Sequence, residues 1–291
     1  MTKHKRVLTG RNIIVTGASR GLGLDITRAM WGAGANLLLV ARTKDQLLDL
    51  RTELVANAII QQQVDIAVAD LSRPDFVQGI MDKAHSMWDG IDLLVNNAGI
   101  LGPIGPIWTN DWEEWQTTIR VNLLAPVELC RACVPIMLER GRGKIINLSG
   151  GGATGPRPNF TAYAVAKAGL VRFSESLAQG VRDKNIQVNC VAPGAMNTEM
   201  LQTVLRAGPE RAGATEYAQA RRQVDEGGAS PQRAADLCVF LASSASDGIT
   251  GKLISAVWDP WESLSEHKDD LDSDIYTLRR IVPKDRGKDW G

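Results

Sequence analysis

Histidine is scarce in this sequence: only His4, His85 and His267 occur. Three scattered histidines are poor material for a metal site, and no metal is expected. They are equally poor material for a Ser/His/Asp triad. Cysteine is sparse too, with Cys130, Cys133, Cys190 and Cys238. Cys130 and Cys133 have the spacing of a redox pair. They lie inside the apolar stretch Val121–Leu138, away from a helix start where the dipole would lower a thiol pKa, so they read as core cysteines. No apolar run approaches the roughly 18–20 residues of a membrane helix. No apolar segment follows the basic start to complete a secretory signal. Net charge is also absent, since 33 Lys and Arg balance 33 Asp and Glu. That balance excludes a nucleic-acid binder relying on bulk positive charge. Neither a nucleic-acid nor a membrane partner is expected, and the cytoplasm is the compartment that fits.

Glycine, by contrast, is abundant at 28 residues, so tight backbone turns are in demand. Apolar segments alternate between strand and helix patterns. Strands are expected at Asn12–Thr16, Asn36–Ala41, Gln63–Ala69, Ile91–Val95, Lys144–Leu148, Ile186–Val191 and Lys252–Val257. Helices are expected at Gly21–Gly34, Thr43–Asn57, Arg73–Trp88, Asp111–Glu139 (interrupted or kinked near Pro126 and Pro135), Ala162–Arg182 and Pro231–Ala242. This alternation predicts an α/β fold, a doubly wound parallel sheet of about seven strands with helices on both faces. One domain covers residues 7–258. Residues 1–6 form a basic arm and 259–291 a C-terminal extension with a possible helix over Ser265–Arg280. Asn197–Gly228 lies off the alternation.

Thr16-Gly17-Ala18-Ser19-Arg20-Gly21-Leu22-Gly23 joins the first strand to the first helix. Glycines there let the backbone approach a pyrophosphate at the positive helix N-terminus, as in dinucleotide sites. The same residues contain Gly17-Ala18-Ser19-Arg20-Gly21, the nucleophile-elbow pattern of α/β-hydrolases. The histidine count separates the two readings, because a hydrolase would have only His267, in an acidic tail. Dinucleotide sites that bind the ribose hydroxyl carry an acid at the tip of the second strand, whereas a nearby arginine accepts a 2′-phosphate. Here the tip is Ala41-Arg42-Thr43, and Arg20 lies in the glycine loop. Two guanidiniums around one phosphate point to NADP(H) rather than NAD(H).

Tyr163 and Lys167 lie four residues apart on an expected helix and share a face. A phenol at its ordinary pKa of about 10 is a poor base at neutral pH, and a nearby ammonium favours the phenolate. The pair reads as a general acid/base for a hydroxyl or carbonyl. The whole set now resembles the short-chain dehydrogenase/reductase family, in its shorter, non-extended branch, from about Val7 to Val257. The motifs that carry the resemblance are Thr16–Gly23, Asp70-Leu71, Asn96-Asn97-Ala98-Gly99, Asn122, Tyr163 with Lys167, Pro193-Gly194 and Thr198.

The resemblance implies a single-domain Rossmann fold and hydride transfer between NADP(H) and a carbonyl/alcohol pair. It implies that Tyr163 exchanges the proton, Lys167 binds the nicotinamide ribose, and Asn122 holds a water linking Lys167 to solvent. Cofactor contacts are expected from Gly17, Ser19, Arg20, Gly21, Leu22, Gly23, Arg42, Asp70, Leu71, Asn96, Ala98, Gly99, Tyr163, Lys167, Pro193, Gly194 and Thr198. The segment 197–228 is expected to be a substrate lid, and the chain to form a homo-oligomer, a dimer or a tetramer, through its long helices. One departure stands out. The family's serine thirteen residues before the tyrosine is Gly150 here. Ser149, Thr154 or backbone N–H groups of the glycine run remain as replacements, with Ser149 taken as the catalytic hydroxyl. The alternatives are a non-enzymatic NADPH-binding sensor and, among enzymes, a sugar or polyol dehydrogenase rather than a 3-oxoacyl or ketone reductase.

Overall fold

The structure is a computed structural model that describes residues 6–58 and 60–290. Residues 1–5, with His4 and most of the expected basic arm, lie outside the described residues. Strands β1 (Asn12–Thr16), β2 (Asn36–Ala41), β3 (Val64–Val68), β4 (Leu93–Asn96), β5 (Gly143–Leu148), β6 (Ile186–Ala192) and β7 (Leu253–Ser255) form one sheet. Their order is β3-β2-β1-β4-β5-β6-β7, and every pairing is parallel. The order reverses between β1 and β4, and the carboxyl ends of strands at such a switch point form a natural crevice.

The helices are α1 (Gly21–Gly32), α2 (Lys44–Ala56), α3 (Phe76–Met87), α4 (Trp112–Ile119), α5 (Ala125–Glu139), α6 (Thr161–Gly180), α7 (Glu199–Ala212), α8 (Ala214–Glu226) and α9 (Pro231–Ala242). Both faces of the sheet are covered, so its strands read as continuous apolar runs rather than alternating ones. Ile13, Val15, Leu37 and Leu39 pack with Ile26 and Met30 of α1, Leu47 of α2 and Leu237 of α9. Ile14, Leu38, Leu94 and Ile145 pack on the other face, with Ile80 of α3, Leu129 and Cys133 of α5 and Ala178 of α6. All four cysteines are free and buried. Burial pushes the Cys133, Cys190 and Cys238 thiols up to about 12, which suits packing and not redox exchange.

The helix expected over Asp111–Glu139 is interrupted just before Pro126 and not at Pro135. Its interruption is a π-turn at Arg120–Leu124, between α4 and α5. Pro126 falls in the first turn of α5, where its missing N–H costs nothing. Pro135 sits inside α5 without ending it. The combined span Trp112–Glu139 has a mean hydropathy of 1.6 over its most apolar window, so it is long and apolar enough to cross a membrane. That corrects the expectation that no run reaches such a length. Its apolar residues Leu129, Cys130, Cys133 and Met137 are spent on the core under the sheet.

The tail also differs from expectation. Instead of a helix over Ser265–Arg280 it forms a 3₁₀ turn at Trp261–Glu266, a single turn at Lys268–Leu271, and then irregular chain up to a last 3₁₀ turn at Pro283–Arg286. Trp261, Leu264 and Leu271 join the core. Beyond them the tail runs along its own sheet edge: Leu253 N–H donates to Tyr276 O at 2.8 Å, and Lys252 Nζ donates to Ser273 O and Ile275 O at 2.8 and 2.9 Å. Leu278 N–H donates to Glu175 Oε1 of α6 at 2.6 Å. The tail therefore blunts the open edge of β7 from within its own chain.

Candidate active site

The glycine loop is shaped by close backbone packing. A Cβ on Gly17 would come within 2.9 Å of the Ala98 Cα, and one on Gly23 would overlap Gly17 O. Asn97 fastens the loop to the end of β4. Its Nδ2 donates to Thr16 O and Gly17 O at 3.0 and 3.2 Å. Thr16 Oγ1 accepts from the N–H groups of Asn97 and Ala98 at 3.0 and 3.1 Å. Gly21, at φ +53°, has open space where its Cβ would stand. It borders a cleft of about 280 Å³ with Leu22, Met196, Thr198 and Ser230. The structure thus brings the first glycine loop and the start of α7 to one crevice at the switch point.

Thr198 precedes α7, with no capping bond from its side chain. Gly194, at φ +89°, allows the turn after β6, and a Cβ there would meet Val257 at 2.6 Å. The buried Pro193 begins that turn. Asp25 also lines the cleft, and burial raises its carboxyl above the ordinary value against the pull of Arg28. Asp25 carries no motif signal in the sequence. Asn97 was not among the expected cofactor contacts, although its side chain ties the two loops together.

The parallel register Thr16↔Val40 places the loops after β1 and β2 side by side. Arg20 and Arg42 emerge from them and are exposed. Ser19 Oγ donates to Gln46 Oε1 at 3.1 Å rather than addressing a histidine. Asp70 accepts from Ser72 N–H and Oγ at 3.0 and 2.8 Å. Burial raises its carboxyl, but these bonds and the charges of Arg42 and Arg73 outweigh it and hold it below the ordinary value. Leu71 beside it is buried. Asn96, expected along the cofactor, spends its side chain in the interior: it is 3 % exposed, and its Nδ2 donates to Asn147 Oδ1 at 2.8 Å.

A second group converges where β5 ends. Tyr163 and Lys167 lie on one buried face of α6 with Ala162 and Ala166. Lys167 is 3 % exposed. Its Nζ donates to Leu148 O at 2.7 Å and lies 5.7 Å from the centre of the Tyr163 ring. Asn122, in the π-turn, bonds Ile100 twice. Its Nδ2 donates to Ile100 O at 2.7 Å and its Oδ1 accepts from Ile100 N–H at 2.8 Å. The Cβ position of Gly99 is 3.1 Å from Asn122 Oδ1 and 3.7 Å from Lys167 Nζ. A side chain at 99 would therefore separate the groups that gather there.

Burial moves the two titrating groups in opposite directions. It depresses the Lys167 ammonium to about 8, a shift that the nearby Cys190 opposes. It raises the Tyr163 phenol above 10, and the cation that opposes this is Arg157. The sequence reading gave that part to Lys167.

The serine question takes a definite shape. A Cβ at Gly150 would overlap the Tyr163 hydroxyl and lie 3.1 Å from Cε1 and Cζ of its ring. Position 150 is thus the one that faces the phenol, and the phenol fills it. Ser149 is buried, and its Oγ has no hydrogen-bond partner. Thr154 is exposed. The N–H groups of Gly150, Gly151 and Gly152 have no partner among the described residues.

Above Tyr163, the segment 197–228 folds as α7 and α8, with a kink at Gly208, where φ is +72°. Leu201 and Val204 of α7 and Ala220 of α8 pack with Leu101, Ile104, Phe160 and Tyr163.

Residues 11–208 match the short chain dehydrogenase family. The chain is 32 % identical over 261 residues to the 3-oxoacyl-acyl-carrier-protein reductase FabG of Chlamydia trachomatis, covering 86 % of this chain and 96 % of that one. Among solved structures it resembles the L-sorbose reductase of Gluconobacter frateurii complexed with NADPH and L-sorbose. That match has a TM-score of 0.76 and 31 % identity, over 86 % of this chain and 96 % of the other. It also resembles a gluconate 5-dehydrogenase of Burkholderia cenocepacia in complex with NADP and tartrate. There the TM-score is 0.75 and the identity 27 %, over 87 % and 95 % of the two chains.

Proposed function

The chain belongs to the short-chain dehydrogenase family of oxidoreductases, and from that premise we propose that it reduces a carbonyl, or oxidises the matching secondary alcohol, using NADP(H), with Tyr163 as general acid/base. The observation that carries this reading is the convergence of Tyr163, Lys167 and Asn122 around Gly99, whose neighbour Ala98 packs on Gly17 of the glycine loop.

The residues present suit a dinucleotide. Gly17 and Gly23 leave no room for a Cβ, and Gly21 turns backbone towards the cleft. A bound dihydronicotinamide supplies the hydride. The chain does the rest. Arg20 and Arg42, both exposed beside the same strand ends, suit the 2′-phosphate. Thr198 and the turn at Pro193-Gly194 border the nicotinamide end. Lys167, anchored on Leu148 O, holds the ribose. Asn122 fixes the Ile100 loop and orders the water that links Lys167 to solvent. Tyr163 donates its proton to the substrate oxygen and recovers it by that route. A second hydrogen bond to the oxygen falls to the unpartnered Ser149 hydroxyl or to the free N–H groups of Gly150–Gly152.

Leu101, Ile104, Phe160, Leu201 and Val204 pack with Tyr163, and these apolar surroundings of the proton donor favour a ketone or acyl carbonyl over a polyol. The missing serine favours a non-catalytic NADPH-binding role, and the buried, anchored Lys167 weighs against it, because a sensor gains nothing from burying that charge. Exposed Leu124, Leu138 and Val165 on the long helices support assembly into a homo-oligomer, and four free cysteines suit a cytoplasmic setting. A panel of ketones, 3-oxoacyl thioesters and ketoses, followed at the NADPH absorbance band, tests the reading. Turnover of none of them, in either direction, overturns it.

A further inference from the structure

The reaction as proposed leaves one charge beside the proton donor without a role. Arg157 comes from the loop between β5 and α6, and its side chain is only 19 % exposed. Its guanidinium carbon lies 4.1 Å from the centre of the Phe160 ring and 5.8 Å from that of Tyr163. Its Nε and one terminal nitrogen donate to the two carboxylate oxygens of Glu216, at 3.0 and 2.9 Å. Glu216 belongs to α8, so this bidentate pair spans from the loop under Tyr163 to the segment above it.

The glycine run makes the space. A Cβ at Gly151 would stand 3.6 Å from a guanidinium nitrogen, and one at Gly152 would stand 3.3 Å from the Arg157 Cβ. Gly151 and Gly152, the two residues after the serine position, are thus the ones that lie against the arginine.

The charged and titratable groups around Tyr163 are few. Lys167 lies on its own helix, with Cys190 of β6 beside that ammonium. Arg157 comes from the loop, and Glu216 and Tyr217 come from α8. From α7 comes Arg211, whose Nε donates to Ile104 O at 3.0 Å, and the hydrophobic residues packed with the phenol from that loop and from α7 are Leu101, Ile104, Leu201 and Val204.

We propose that Arg157 is a positioning residue for the Tyr163 phenol, and that its ion pair with Glu216 ties the 197–228 segment to the proton-transfer step. The inference rests on Tyr163 being the proton donor. With Glu216 engaged, much of the guanidinium charge is offset and the phenol keeps its proton, the form that donates to a carbonyl. With Glu216 withdrawn, the uncompensated cation favours the phenolate. In the step itself a hydride supplied by the dihydronicotinamide would form the C–H bond on the carbonyl carbon, the C=O π pair passes to the oxygen, and that oxygen takes the proton as the Tyr163 O–H bond breaks.

The chain has three tyrosines, so the ionisation of Tyr163 is readable as the ultraviolet difference between each protein and its Tyr163→Phe counterpart during alkaline titration. Arg157→Gln is expected to raise the proton affinity of Tyr163 by ~3-fold or more, and Glu216→Gln to lower it by a similar factor. Arg157→Lys, which keeps the charge, is expected to restore most of the first shift. Shifts in the same direction for the two neutral variants overturn the proposal, and so does the absence of any shift. Should Arg157→Gln fail to fold, Glu216→Gln against the natural chain decides alone: a downward shift supports the role and none overturns it. The titration needs no substrate. If no carbonyl is turned over, the proposed reaction fails while the assignment of Arg157 is still decided.

Discussion

An alanine at position 150 places a methyl group where the Tyr163 hydroxyl now lies. The alanine Cβ would overlap the hydroxyl oxygen and crowd Cε1 and Cζ at 3.1 Å. To reach ordinary contact the oxygen must retreat by about 1 Å. The ring cannot swing away freely, because Tyr163 is only 7 % exposed and packs among Phe160, Leu101, Ile104 and Leu201. Overpacking of this kind costs about 1–3 kcal/mol. In a chain of this length that lowers Tm by about 2–5 °C. The catalytic effect is larger in proportion, since a 1 Å misplacement of a reacting group costs roughly 100-fold in rate. Gly150→Ala is therefore expected to lose about two orders of magnitude in kcat while melting only slightly early. Gly150→Ser carries the same methylene and is expected to fall below the natural chain as well, although it restores the hydroxyl usual in the family. The assay is kcat for a carbonyl from the panel, followed at the NADPH band, beside a thermal melt. Unchanged kcat and Tm in Gly150→Ala would refute the reasoning, because the phenol could not then be filling that position.

Three further outcomes are expected. Arg42→Ala, alone or with Arg20→Ala, should raise KM for NADPH by ~10-fold or more and leave KM for NADH nearly unchanged; equal effects on both cofactors would remove the 2′-phosphate assignment. Burial holds the Lys167 ammonium at about 8 against 10.5, so the folded state binds fewer protons than the unfolded one between those pH values. Stability then rises with pH across that window, and relative to Lys167→Met the natural chain should gain up to ~3 kcal/mol between pH 8 and 10.5 in denaturant titrations. The raised Tyr163 phenol acts with the opposite sign above pH 10, and in both proteins. A constant difference between them would show that the ammonium is not buried. Ending the chain at Pro260 removes the buried Trp261, Leu264 and Leu271 and the pairing on β7. A loss of about 5 kcal/mol is expected, and an unaltered melt would show that the tail does not pack on its own chain.

Most of the sheet was legible because β-strands covered on both faces are unbroken apolar runs bounded by glycine. Asn12–Thr16 and Asn36–Ala41 coincide with β1 and β2 to the residue. The α1 loop was legible because a phosphate-binding turn needs glycines at fixed offsets. What escaped was set by tertiary context. The π-turn at Arg120–Leu124 has no composition signal of its own. It ends two residues before Pro126, near one of the two expected interruptions, while Pro135 leaves α5 unbroken. The helix expected over Ser265–Arg280 does not form, because backbone groups of that segment bond to the β7 edge and to α6. Within the site, Tyr163 and Lys167 follow from i, i+4 spacing, but the space that the phenol occupies depends on Gly150, thirteen residues away. Arg157 and Glu216 are 59 residues apart, and no local pattern joins them. Glu216 carries no motif signal of its own, yet it holds Arg157 through both carboxylate oxygens.

The central claim is that this chain transfers a hydride between NADP(H) and a carbonyl/alcohol pair with Tyr163 exchanging the proton. The most direct measurement sets the natural chain beside Tyr163→Phe, recording NADPH binding by fluorescence and turnover by absorbance on the same preparations. The account expects both proteins to bind NADPH with similar Kd and turnover to fall by about 1000-fold or more in the variant. Turnover that survives in Tyr163→Phe would contradict it.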